Sequence, residues 1–358
     1  MKHASHMRAL KAGLALATTV SACGDNAGPT GPVIVPDTAL LIASAAAVDS
    51  LQAGPLNASS SVAFGDLLGV TSIAAVSPLL QAMSHAVTTA WATSTRSALP
   101  ALPRATMTAD LAATAAAKVL PDSVLGKTFE WDTATNHYVI TTRSGAPTHG
   151  VRFILYALSS DTVAEPVIQV GMLDAIDLTS GSTRKVREVL AGVGGSPTYS
   201  DNTFSYTVTE GSTDTTASLT ATGFIANGAA GAAYRKLTFT SSLTTQLRDD
   251  TGSTQRLALN MNLNQPAVTY GATVTTNVNP GDTTTVYDVS AATTTQSLRA
   301  LLRTAFNANG GGEIWTDNAD ELLGAGDIQI AETVVAHLVG GFGPLDYFVY
   351  GALGLLGA

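Results

Sequence analysis

Glu130 and Asp132 flank Trp131. Two carboxyl groups beside an aromatic ring are the residue types that glycoside cleavage uses. One acid protonates the leaving oxygen while the other attacks the sugar or activates water. On a strand, side chains alternate, so both acids would share one face and the ring would take the other. Such acids must also stand at a set separation across a cleft. Two positions on one strand do not supply that by themselves, and a solvated strand end is the simpler reading. Asp317, Asn318, Asp320 and Glu321 form an acidic cluster that could hold calcium. It lacks the alternating ligand spacing and central glycine of a calcium loop, so Asp317 or Asn318 is expected to cap a helix. Asp249-Asp250, ahead of Thr251-Gly252, reads as a turn.

The chain has six histidines, His3, His6, His85, His137, His149 and His337, and one cysteine, Cys23. No two histidines stand four apart as on a metal-binding helix, and a lone cysteine cannot complete a thiolate set. His337 lies in an apolar segment and reads as a hydrogen-bonded core residue. There is no Gly-x-Ser-x-Gly elbow for a serine nucleophile. Gly192–Gly195 and Gly310–Gly312 lack the Lys-Ser/Thr ending of a phosphate loop and read as turns or loops. No catalytic residue, cofactor-binding residue or metal ligand is therefore assigned. The 18 Lys and Arg against 27 Asp and Glu give a net charge of −9. With no basic patch, nucleic acid is not an expected partner.

The first residues are more informative. Lys2, Arg8 and Lys11 form a basic stretch, Ala12–Val20 is a short apolar run, and small residues lead to Cys23. That is an export signal, too short for a stable membrane span. Its ending, Val20-Ser21-Ala22-Cys23, resembles the lipobox of bacterial lipoproteins. The resemblance implies cleavage before Cys23 and a diacylglycerol on its sulfur, and Gly24 in the next position points to the outer membrane. Removal of Lys2, Arg8 and Lys11 with the signal takes the net charge from −9 to −12. The two acyl chains would anchor durably where one would not. With its one cysteine acylated, the mature chain has no disulfide, so packing must hold the fold.

The remaining pattern predicts what would carry the anchor. Residues 1–22 are the signal and 23–36, rich in Gly and Pro, a flexible tether. From 37 to 125 apolar residues recur at helical spacing, as in Leu40, Leu41, Ser44, Ala47, Val48 and Leu51. From Lys127 the period becomes two. Leu257, Leu259, Met261 and Leu263 alternate with Ala258, Asn260 and Asn262, so one strand face is apolar and the other polar. Residues 201–300 hold 24 threonines, whose branched side chains favour strands. Turns are expected at 209–214, 227–231, 249–253, 264–266 and 279–282. The segment 183–193 is ambiguous, because Val186, Val189, Leu190 and Val193 have helical spacing, and strand is favoured. Leu298–Phe306 fits a strand or a helix. Residues 319–338 and 344–356 read as helices, the last too short to span a membrane.

The expected fold is α+β. A large twisted antiparallel β-sheet meander over 126–310 packs against N-terminal helices (37–125) and C-terminal helices (311–358) as one domain. The sheet is expected to curl into a half-barrel, with a closed barrel as second choice. The leading expectation is a non-enzymatic envelope lipoprotein, a scaffold or binding module whose partners are the membrane and an envelope protein. A second is a carrier of lipid or another amphiphile. In architecture alone it resembles the half-barrel lipoproteins that shuttle lipids or acylated proteins in bacterial envelopes. An envelope hydrolase is the third.

Overall fold

The computed structural model describes residues 118–159, 162–229, 231, 234–248, 252–279, 282–293, 297–307 and 310–316, together with Ala43, Ser44, Ala47, Leu51 and Ala63. Among the described residues fifteen strands follow one another: β1 (Lys127–Asp132), β2 (His137–Thr141), β3 (Gly150–Tyr156), β4 (Leu158–Ser159), β5 (Thr162–Val163), β6 (Gln169–Asp177), β7 (Thr183–Gly192), β8 (Thr198–Glu210), β9 (Asp214–Ala226), β10 (Lys236–Arg248), β11 (Gly252–Asn264), β12 (Ala267–Asn279), β13 (Asp282–Ala292), β14 (Ser297–Asn307) and β15 (Gly310–Thr316). Thirteen of them form one sheet, in the order β15-β14-β13-β12-β11-β10-β9-β8-β7-β6-β3-β1-β2, and β4 and β5 pair separately.

The expected antiparallel meander is present from β6 to β15, where each strand pairs with its neighbour in sequence. Short polar turns set this topology, since a tight turn can only return the chain antiparallel. Four differences from expectation stand out. The sheet is mixed, because β1 pairs with β3 in parallel. It is not a closed barrel: among the described residues the order ends at β2 on one side and β15 on the other. Residues 311–316, expected in the C-terminal helical segment, belong to β15, and Gly310–Gly312 is strand rather than loop. The glycines pair by backbone with Ala305, Phe306 and Asn307, which needs no side chain. α-Helix is confined, among the described residues, to Ala43, Ser44, Ala47, Leu51 and Ala63. Residues 118–125, expected at the end of the N-terminal helical segment, are bends and turns around Pro121, and positions 317–358 of the expected C-terminal helices lie outside the described residues.

Period two fixes the two faces. On β11, Leu257, Leu259, Met261 and Leu263 are buried, while Arg256, Asn260, Asn262 and Asn264 are exposed. Register carries this across the sheet. Tyr206 faces Leu219, Leu219 faces Leu243, Leu243 faces Leu257 and Leu257 faces Val274, and all five are buried. Each large aliphatic side chain so placed contributes roughly 1.5–3 kcal/mol. On the opposite face Thr203 faces Thr222, Thr222 faces Thr240 and Thr240 faces Asn260. There the stabilising pairs are hydroxyls and amides, such as Ser205 with Thr220 at 2.6 Å and Thr269 donating to Asn262 at 2.6 Å.

Two devices finish the sheet. At its β1–β3 end, Phe129 stacks on Phe153 at 4.7 Å, with Tyr138 edge-on to Phe153 at 5.2 Å. At the end of β6, the Asp177 carboxylate accepts from the backbone N–H of Val119 at 3.0 Å and of Leu120 at 3.3 Å. Val119 and Leu120 are both buried, so this carboxylate satisfies donors that water does not reach.

Candidate functional site

The apolar face is interrupted at β7 and β8. On β7, Arg184, Val186, Glu188 and Leu190 alternate onto the buried face, and on β8 Ser200, Asn202, Phe204 and Tyr206 do the same. Four of these eight, Arg184, Glu188, Ser200 and Asn202, are polar and fully buried. Register places Glu188 directly opposite Asn202. Ala175 of β6 flanks Glu188, and Gly223 of β9 flanks Asn202. The polar pair thus stands between two small residues of its row. Leu173, Leu190 and Ile225 border it on one side, Val186 and Phe204 on the other.

Gly223 is what allows Asn202 its position. A Cβ there would stand 2.4 Å from the Asn202 Oδ1 and 2.4 Å from the Asp201 carbonyl oxygen. Neither oxygen of Glu188, neither polar atom of the Asn202 side chain, nor the Ser200 hydroxyl has a hydrogen-bond partner among the described residues. Buried polar atoms normally have one, and each that does not costs about 1–3 kcal/mol.

Burial raises the Glu188 carboxyl well above its ordinary value, because an ion there would lose its water with nothing to replace it. The neutral acid has one O–H donor and one carbonyl acceptor, the same complement that Asn202 presents through its amide. Arg184 lies on the same face four residues away, about 13 Å along the strand, too far for an ion pair with Glu188. Burial pulls the Arg184 guanidinium down from its ordinary value, and Asp177 and Tyr206 push it back up. Tyr206, opposite Arg184, has its phenol raised by burial. Chemically, the Glu188–Asn202 pair can hold a neutral group with its own donor and acceptor, or deliver a proton.

The positions singled out by sequence take other roles. Glu130 accepts from Arg143 at 2.8 Å. Asp132 closes the β1–β2 turn, accepting from the Ala134 N–H at 3.1 Å and the Thr135 hydroxyl at 2.8 Å, which holds its carboxyl below the ordinary value. Trp131 lies edge-on to Tyr138 at 5.4 Å. Each acid is thus engaged locally. His137 begins β2 and His149 precedes β3, both exposed. Among the described residues no three His, Cys, Asp or Glu side chains group as metal ligands. Gly192 ends β7, and Val193–Gly195 form a 3-10 turn. Cys23, His3, His6, His85, His337, Asp249-Asp250, Asp317, Asn318, Asp320 and Glu321 lie outside the described residues.

Glu188 and Asn202 were not among the sequence candidates. The available signal was phase: once 183–192 is a strand, Arg184 and Glu188 share a face with Val186 and Leu190. No family model matches the chain, and no match is found among curated proteins or solved structures.

Proposed function

We propose that the protein is an exported lipoprotein of the bacterial envelope, held at the outer membrane through a diacylated Cys23, with a non-enzymatic binding module built on its sheet. The observation that carries this reading is the segregation of the two sheet faces. The face bearing Phe204, Leu219, Leu243, Leu257 and Val274 is buried or nearly so, while Thr203, Thr222, Thr240 and Asn260 line the other. A broad surface of hydroxyls and amides suits reversible contact with an envelope protein, since each group can exchange water for a partner at small net cost. In this reading the sheet curls as a half-barrel, and helices within residues 37–117 and from the C-terminal region cover its apolar face. The bond between helical Ser44 and Tyr270 supports such a layer.

Labelled palmitate tests the anchor. It should enter the wild-type chain and not Cys23→Ala, and persistence in that variant would remove the lipoprotein reading. A photocrosslinker placed at Thr240 in intact cells tests the module. A discrete adduct is expected, and none from Thr203, Thr222 or Thr240 rejects a partner on this face.

A second reading, a carrier of an amphiphile, has a specific observation in its favour. The buried Glu188–Asn202 pair offers hydrogen bonds inside a largely apolar face. That combination suits a molecule with an apolar body and one polar end.

A further inference from the structure

We infer that Glu188 and Asn202 form the head-group site for an amphiphile whose head is a neutral hydroxyl or amide. This rests on the carrier reading and names what would be carried and where. Three observations converge. The two side chains are opposite one another in register. Both are fully buried with no hydrogen-bond partner among the described residues. Their row continues through Gly223, Phe239, Met261 and Tyr270, the last three buried, so the pair is set within an apolar interior.

The chemistry selects the head. Glu188, kept neutral by burial, and Asn202 each present one donor and one acceptor side by side. A hydroxyl or primary amide answers both. A carboxylate or phosphate would bring a second uncompensated charge into an apolar setting. An ammonium would bind only by first ionising Glu188, which burial opposes. Ser200, one pleat along β8 on the same face, can take a second hydroxyl, which favours a head with two such groups, as in a monoacylglycerol.

The test uses the full acylated chain in mild detergent, mixed with monoolein, oleamide, oleate or oleylamine and weighed by native mass spectrometry. One monoolein or oleamide per chain is expected in the wild type. Glu188→Gln keeps a donor and an acceptor and should keep that adduct. Glu188→Leu and Asn202→Leu should lower it at least tenfold. Since those two variants can fail to fold, pH supplies a second readout. Wild-type binding should weaken as pH rises and Glu188 ionises, whereas Glu188→Gln binding should stay level. An adduct undiminished in Glu188→Leu leaves a carrier standing and rejects this site. Preference for oleylamine, lost in Glu188→Gln, rejects the neutral head. No adduct with any probe rejects the site and the carrier reading together.

Discussion

The hydroxyls of Ser44 and Tyr270 share a buried hydrogen bond between residues 226 apart in sequence. Ser44 lies in helix and Tyr270 near the start of β12, so one bond ties an early segment to the apolar face of the sheet. Removing the Ser44 hydroxyl takes this partner from Tyr270 where water does not reach, and removing the Tyr270 hydroxyl breaks the same tie. Ser44→Ala and Tyr270→Phe should each lower stability by about 1–3 kcal/mol. The double variant should lose less than the sum of the two, and denaturant midpoints for all four proteins supply the comparison.

Glu188 makes stability depend on pH in a defined direction. Its carboxyl is raised in the folded chain above the ordinary 4.5. The unfolded chain therefore ionises first as pH rises. The native state keeps its full contribution below about 4.5 and loses it as pH climbs toward the folded value, at up to about 1.4 kcal/mol per pH unit. Glu188→Gln abolishes this pH dependence. Compared with wild type, it should show its smallest advantage near pH 4 and a growing one toward pH 8. Parallel stability curves across that range would contradict a neutral buried acid.

Arg152 and Asp174 are direct cross-strand partners and form a two-pronged ion pair, with both N–O distances 2.7 Å. Their side chains are only 22% and 13% exposed, so solvent screens them little. Asp174→Asn should cost about 1.5–3 kcal/mol. Lys118 and Asp122 also pair, but at 63% and 74% exposure. Lys118→Ala should leave the unfolding midpoint in place. A contrast between these two variants, measured by urea unfolding, checks whether the β3–β6 pair contributes beyond an ordinary surface contact.

Gly223 and Gly231 offer a matched comparison. A Cβ at Gly223 meets the Asn202 Oδ1 and the Asp201 carbonyl oxygen at 2.4 Å, whereas at Gly231 it meets nothing within 4 Å. Gly223→Ala must move the β8 backbone or displace Asn202, at about 1–3 kcal/mol. Gly231→Ala should leave the thermal midpoint unchanged or slightly raised. Equal midpoints for the two would mean that Asn202 is not held where Gly223 permits it.

Much of the sheet was legible because period two is local. Leu257, Leu259, Met261 and Leu263 state their face without help from the rest of the chain, and polar turns such as 209–214 state where it reverses. The segment 183–193 was harder. Val186, Val189, Leu190 and Val193 mimic helical spacing, and Arg184 and Glu188 put charge where an apolar residue would have confirmed the strand. The parallel pairing of β1 with β3 is a choice between non-adjacent segments that no single stretch records. β15 was obscured because Gly310–Gly312 carry no side chains to alternate. The Glu130–Asp132 pair looked like chemistry in one dimension. Its real neighbours, Arg143 and Thr135, are fixed only when β1 folds back on β2. The Glu188–Asn202 pair needed both the phase of β7 and its register with β8.

From β6 to β15 order along the chain and order across the sheet coincide. Excising β10 and β11 together, residues 236–264, would bring β9 beside β12 running in the same relative direction. Leu219 would then meet Val274, the residue that now lies three strands beyond it in the same row. Inserting another pair of such strands works by the same geometry. The width of the hydroxyl-bearing surface is therefore adjustable in steps of one hairpin. Duplication or loss of short internal gene segments would resize this surface while leaving the polar pair between β7 and β8 where it stands.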